Sequence, residues 1–207
     1  MGFAPYPGGT LTTLYNEQGA ATGARLCDKN GKLVAHIERK FDAKGRISGE
    51  EQVADAPELM VPEELRSTLN PEQAKSMGAF IAGGLHNRAI VYSYDADGRV
   101  TERHRSGGAF GEEATITEYN DHGDKASEHT TTVMNPDVGR EYSLTEDGTM
   151  IPTGQPQPVP EPATYETRYT YQYDSYGNWI EQTTVDRTRP DAVFGPSSVR
   201  RRKLTYY

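Results

Sequence analysis

The densest set of candidate metal ligands lies between residues 121 and 129, where Asp121, His122, Asp124, Glu128 and His129 fall close together. Imidazoles and carboxylates suit zinc in kind. Their spacing does not suit it, because Gly123 marks a turn that leaves His122 at the tip and His129 well down the next strand. A strand rises about 3.3 Å per residue, too far for shared coordination without a further segment. DADG at 95–98 begins like a calcium loop but lacks the later ligands and the distal bidentate Glu. The histidines (36, 86, 104, 122 and 129) form no HExxH, and no Ser or Cys stands in a nucleophile elbow. GGAFGEE at 107–113 is Gly-rich but lacks the Lys-Ser/Thr of a phosphate loop, and Glu112 and Glu113 would repel phosphate. No catalytic constellation, metal site or cofactor is expected, and the chain reads as a non-enzyme.

The remaining candidates are aromatic. Tyr169, Tyr171 and Tyr173 recur with period 2, which places them on one face of a strand, and Trp179 and Tyr94 belong to equivalent positions. Such a face serves either as a core or, where open, as a platform for a glycan or peptide, since a Tyr ring buries its body and keeps its hydroxyl wet. The core role is favoured, because the rings pair across strands.

The elements that position these rings are repeated turns. YNEQG (15–19), CDKNG (27–31), FDAKG (41–45), YDADG (94–98), YNDHG (119–123) and YDSYG (173–177) share Asp or Asn three places before Gly, with LTEDG (144–148) as a weaker seventh. Asp or Asn caps the first position of a type I turn, and Gly accepts the positive φ of the fourth. A type I turn closed by a left-handed glycine with a bulge joins the strands of a β-hairpin. That geometry predicts a register: Tyr15 across from Ala21, Cys27 from Leu33, Phe41 from Ile47, Tyr94 from Val100, Tyr119 from Lys125, Leu144 from Met150 and Tyr173 from Trp179. All but the pair at Lys125 join residues that could share an apolar face. Along one strand, Leu33, Ala35 and Ile37 are expected on one face, with Lys32, Val34, His36 and Glu38 on the other. The predicted fold is therefore mainly β. It is an antiparallel sheet of consecutive hairpins, curved or partly closed, with one aromatic and aliphatic face and one polar face.

Two stretches interrupt the repeat within a single expected domain (1–207) made of hairpins over 11–50 and 89–207. In the insertion at 55–88, Pro62-Glu63-Glu64-Leu65 opens a short helix. Asn70-Pro71-Glu72-Gln73 opens a longer one, with Asn as N-cap and Gln at N3. Ala74, Met77, Ile81 and Leu85 then recur at helical spacing, and Gly83-Gly84 would end or weaken the helix. The Pro-rich segment QPQPVPEP, within a loop at 152–163, reads as extended and exposed.

Composition bounds the function. The net charge of -8 argues against nucleic-acid binding, and Arg200-Arg201-Arg202-Lys203 reads instead as the charged edge of a last strand. No apolar stretch approaches the roughly 20 residues that span a bilayer. The single Cys27 excludes an intrachain disulfide. Hydrophobic residues make up only 34% of the chain, and 13 Tyr against 5 Phe imply a core built from amphipathic rings.

TYQYDSYGNWIEQT (170–183), VYSYDADGRVTE (91–102), FDAKGRIS (41–48) and, more loosely, TEYNDHGD (117–124) resemble the YD repeats of the RHS family. The resemblance covers about half of the chain. In that family, YD hairpins wind into a long spiralling sheet that encloses, displays or binds, while chemistry belongs to attached domains. It implies a short, divergent module of a secreted or cell-envelope protein of a bacterium, with a glycan, a peptide, another protein or more of a longer YD-repeat chain as partner. NPDVGR at 135–140 is only an echo of the family's core-terminating segment. The rival expectation is a small enzyme or ligand carrier with a pocket between the sheet and residues 62–86. A third is an assembly element pairing through its last strand.

Overall fold

The computed structural model of the chain describes residues 8–85, 87–108, 111–136, 140–146, 148–155, 158 and 160–205. Strands β1 (Thr10–Tyr15), β2 (Ala21–Cys27), β3 (Leu33–Phe41) and β4 (Ile47–Ala54) come first. A 3₁₀ turn at Pro57–Met60 and two helices follow, α1 (Glu63–Arg66) and α2 (Pro71–Leu85). Next come β5 (Arg88–Tyr94), β6 (Val100–Gly107), β7 (Glu112–Tyr119), β8 (Lys125–Val133), β9 (Glu141–Leu144) and β10 (Met150–Thr153). The chain closes with β11 (Ala163–Tyr173), β12 (Trp179–Arg187) and β13 (Gly195–Arg201). Eleven strands form one sheet in the order β1-β2-β3-β4-β5-β6-β7-β8-β11-β12-β13, while β9 and β10 pair separately. The fold is mainly β and built of consecutive antiparallel hairpins, as the repeat predicts. That order has two ends, so the sheet expected to be curved or partly closed is not closed.

All seven predicted turns form by one mechanism. The N–H of Asn16, Asp28, Asp42, Asp95, Asn120, Thr145 and Asp174 donates to the carbonyl four residues on, and the glycine three residues on donates back to theirs. The carboxylate or amide oxygen of Asp28, Asp42, Asn120 and Asp174 accepts two further backbone N–H groups, which locks the turn from inside. The weaker seventh turn substitutes the Thr145 hydroxyl for that oxygen. Gly45 and Gly177 sit at φ 77° and 80°, in the left-handed region that a Cβ disfavours.

The register follows. Tyr15 pairs with Ala21, Cys27 with Leu33, Phe41 with Ile47, Leu144 with Met150 and Tyr173 with Trp179. In the main sheet the pairing slips by one residue beside these turns, a β-bulge that re-aims the side chains next to the glycine. One expectation changes as a result. Leu33 pairs with Cys27, and Cys27 shares its face with Arg25 and His36. Leu33 therefore lies on the His36 side, away from Ala35 and Ile37.

The chain divides into two compact units, residues 1–92, 105–112 and 134–160 in one, 93–104, 113–133 and 161–207 in the other. The first holds Leu26, Val34, Ala35, Ile37, Ala56, Val61, Ala74, Ala82 and Ile90, every buried hydrophobic side chain among the described residues. Val34, expected on a polar face, is 0% exposed because the chain after β4 folds back over it, with Asp55 and Ala56 donating N–H bonds to its carbonyl. Helix α2 starts with the predicted reciprocal cap, Gln73 N–H to Asn70 Oδ1 at 2.9 Å and Asn70 N–H to Gln73 Oε1 at 3.0 Å. Its buried positions are Ala74, Gly78 and Ala82, with Met77 and Ile81 only half-buried. Small residues win because α2 lies against the 3₁₀ turn so closely that a Cβ on Gly78 would stand 2.0 Å from the Pro57 carbonyl oxygen. Gly83 and Gly84, expected to end or weaken α2, lie in its last turn. The β9–β10 hairpin packs on this helix, with the Phe80 and Tyr142 rings 4.5 Å apart.

The second unit is built on strands of the one sheet, and among its described residues no helix or second sheet forms a further layer within the unit. Its buried side chains are Thr115, Thr117, Thr167 and Thr184.

Candidate functional site

The aromatic residues lie on the second unit's sheet. On β11 the odd-numbered positions share a face, and their β12 partners bring Asp186 opposite Thr167, Thr184 opposite Tyr169 and Gln182 opposite Tyr171. The bulge beside Tyr173 brings Trp179 to the same face, where simple alternation from Glu181 would have turned it away. Ring centroids of Tyr171 lie 5.9 Å from Tyr173 and 6.4 Å from Trp179. Two cationic or ionisable groups cover the end of this row. His122 stacks on Tyr173 at 4.0 Å and the Arg202 guanidinium lies 3.9 Å over Trp179, with its Nε donating to the Trp179 carbonyl. Tyr94 does not join them. It ends β5, four places from β11 in the strand order, or about 19 Å at the usual strand spacing.

The hydroxyls of Tyr169, Tyr171 and Tyr173 lean the same way. From β11, Tyr169 donates to Glu128 at 2.5 Å, Tyr171 to the Lys125 carbonyl at 2.9 Å and Tyr173 to Asp124 at 2.9 Å. Each acceptor belongs to β8 or the turn before it. Tyr119 on β7 donates to the Val100 carbonyl of β6, and in the first unit Tyr92 on β5 donates to Glu50 of β4. Each ring thus reaches back from the first strand of its hairpin to the hairpin before. The turn closes a hairpin, and the tyrosine ties hairpins together. Tyr15, on the first strand, has no preceding strand in the sheet and is 65% exposed.

Electrostatics keep these groups in fixed protonation states. Burial, then the hydrogen bond to Glu128 and its charge, pushes the Tyr169 phenol well above its ordinary range. Burial raises Tyr171 and Tyr173 as well, with Asp124 adding to both. Burial pushes Glu128 up, but the hydrogen bonds from Lys125 and Tyr169 outweigh it and hold the carboxyl below its usual value. Asp186 behaves likewise, the neighbouring Ser197, Tyr165 and Thr167 hydroxyls outweighing burial. Phenols and carboxylates are thus driven apart, away from neutral pH.

Further along the same face lies an open groove of about 390 Å³, lined by Tyr165, Tyr169, Gln182, Asp186, Arg200 and smaller polar side chains. Sequence reasoning chose the tyrosines and missed this polar lining. The period-2 positions of β12 (182, 184, 186) carry the signal, once their partners on β11 are known.

The candidate metal ligands have other employment. His122 stacks on Tyr173, Asp124 and Glu128 accept from tyrosines, and His129 pairs with Glu166, on the opposite face from Thr167. Among the described residues no group of three or more His, Cys, Asp or Glu is arranged to hold a metal ion. At 95–98, both oxygens of Asp95 are bonded to Arg99, its backbone N–H and its Nε. Cys27 is a half-buried free thiol in the sheet. No described helix is long and apolar enough to cross a membrane.

No protein-family model matches the chain, and no curated protein matches it. Among solved structures it is similar to a porin-like protein from Bacteroides uniformis, at 12% identity and a TM-score of 0.31, over 94% of this chain and 90% of that one. A TM-score this low carries no argument about fold or function.

Proposed function

We propose that this chain is a non-catalytic β-repeat scaffold of the bacterial cell envelope or exterior, built on the plan of the YD repeats it resembles. The observation that carries this reading is the spending of the repeat's own residues. Asp, or Asn, and Gly are consumed in turns, and the hydroxyls of the repeat's Tyr119 and Tyr173 in ties to the preceding hairpin. A motif whose turn residues and two of whose tyrosines serve construction is what a scaffold requires. The phenols and carboxylates of the candidate face are shifted away from neutrality, which suits fixed hydrogen bonding and not proton transfer.

Amide hydrogen exchange of the full chain tests the ties. Tyr119→Phe, Tyr169→Phe and Tyr173→Phe together should raise exchange along β8 and β11 and leave the turn amides of Gly123 and Gly177 protected. Unchanged exchange at β8 would sink the reading. Fractionation of the source cells tests the location, with a purely cytosolic distribution counting against it.

A second reading rests on the groove beside Tyr165 and Tyr169. Tyr165 is 40% exposed, so its ring face is free to stack on a pyranose while Gln182, Asp186 and Arg200 offer donors and acceptors to its hydroxyls. Titration with cellohexaose, xylohexaose and muropeptides, followed by NMR and compared with Tyr165→Ala, decides this. Absence of shifts at β11 and β12 leaves the scaffold alone.

A further inference from the structure

The two edges of the large sheet differ in kind. The edge at β13 carries devices that discourage pairing: Pro196, a register slip near Ser197, and Arg200 and Arg201 followed by Arg202 and Lys203. The edge at β1 reads TLTTLY, with no charge and no proline. Among the described residues its outer backbone groups have no partner strand in the sheet order, and Leu11 and Tyr15 are 58% and 65% exposed. The register puts both on one face. Leu11 pairs with Leu26 and Thr13 with Ala24, so this exposed apolar margin continues the face of the buried Leu26, Ala35 and Ile37.

That margin is complementary to itself. Set two β1 strands side by side, antiparallel, with Thr13 on the axis. Leu11 of each copy then stands across from Tyr15 of the other, an aliphatic–aromatic cross-strand pair made twice. A two-fold axis normal to the sheet keeps the same face up in both copies, so the two apolar margins merge. The β13 edge is a poor alternative: Pro196 has no N–H to give to a partner strand, and against β1 the Arg200–Arg201 end meets no negative charge. A head-to-tail β1–β13 contact would also leave an unused edge at each end, whereas β1–β1 closes at two copies. We infer that β1 is a self-pairing edge, through which two copies of this chain join β1 to β1 into a two-fold dimer. A single strand pair is a small interface, so the dimer forms in a concentration-dependent way.

Analytical ultracentrifugation of the full chain tests this. The mass should double as concentration rises from micromolar toward millimolar. Thr13→Lys and Thr13→Glu each set like charges opposite one another across the axis and should hold the chain monomeric, with an unchanged near-UV spectrum. An equimolar mixture of the two should regain the dimer, since opposite charges then meet; loss of folding could not produce that rescue. Val199→Glu on β13 should leave dimerisation as it was. A chain that stays monomeric throughout overturns the inference. So does a mixture that fails to dimerise, or a dimer that survives Thr13→Lys and disappears with Val199→Glu.

Discussion

The two units use the same hairpin and solve stability differently. In the first, α2, its preceding turn and the β9–β10 hairpin supply a second layer, and the buried side chains are mainly aliphatic, with Glu50 and Gln52 buried beside them. In the second no such layer exists among the described residues of the unit. There the buried side chains are threonines, and rings and ion pairs lie across the sheet instead. Arg168 and Arg187 sit 4.3 and 4.8 Å from the Phe194 ring, and Arg187 also pairs with Glu166. A turn motif fixes which strands pair; it says nothing about what lies above them. Apolar burial needs two layers, and where only one is present amphipathic side chains must lie flat along it.

The largest expected effect is in the first unit. Val34→Asp would place a charge at a position that is 0% exposed and should cost about 4 kcal/mol or more, read by chemical denaturation. Thr184→Asp on the second unit's sheet should cost far less, and an equal loss would break the distinction between a layered and an unlayered region. The shared turn should respond equally in both. Gly45→Ala and Gly177→Ala each force a Cβ into a positive-φ position and should each cost about 1–2 kcal/mol, with no other atom in the way.

Smaller again is the loss from a single tie. Tyr173→Phe removes bonds to Asp124 and Asn120 and should cost about 1 kcal/mol, with the strand order intact. Acid should weaken both units through carboxylates held below their ordinary values. At Glu50, burial pushes the carboxyl up, but hydrogen bonds from Arg39 and Tyr92 win, and Glu128 is the counterpart in the second unit. A depressed folded value means stability that is present above the ordinary glutamate value of 4.5 and lost as pH falls through the folded one. The melting temperature should therefore fall below that pH. Glu50→Gln should flatten the fall more than Glu128→Gln, because the Glu50 side chain is 6% exposed and that of Glu128 23%.

Much of the scaffold was legible beforehand because its signals are local. An Asp or Asn three places before Gly specifies a turn, its bulge and the first cross-strand pair within a handful of residues, and Asn70 with Gln73 specifies a helix start as locally. The face of Leu33 differs from expectation for a local reason, the bulge beside its turn, and the other differences depend on a neighbour distant in sequence. Val34 is buried by the segment after β4. Gly78, not Met77, is among the buried positions of α2 because the Pro57 backbone lies against it. The hairpin at 144–148 forms as expected but leaves the main sheet, since its place next to β8 is taken by β11. For the candidate face, period 2 identified Tyr169, Tyr171 and Tyr173 and the bulge rule added Trp179. Tyr94 was grouped with them by motif alone, and the strand order puts it elsewhere.

The amino-acid sequence by itself determined the hairpins, their register and the absence of a long apolar helix, because backbone sterics and hydrogen bonds within a few residues settle those. Only the tertiary structure decided which faces are covered, which edge of the sheet is bare, and where each tyrosine hydroxyl ends. Those depend on which strand comes to lie beside which, and no local rule carries that information.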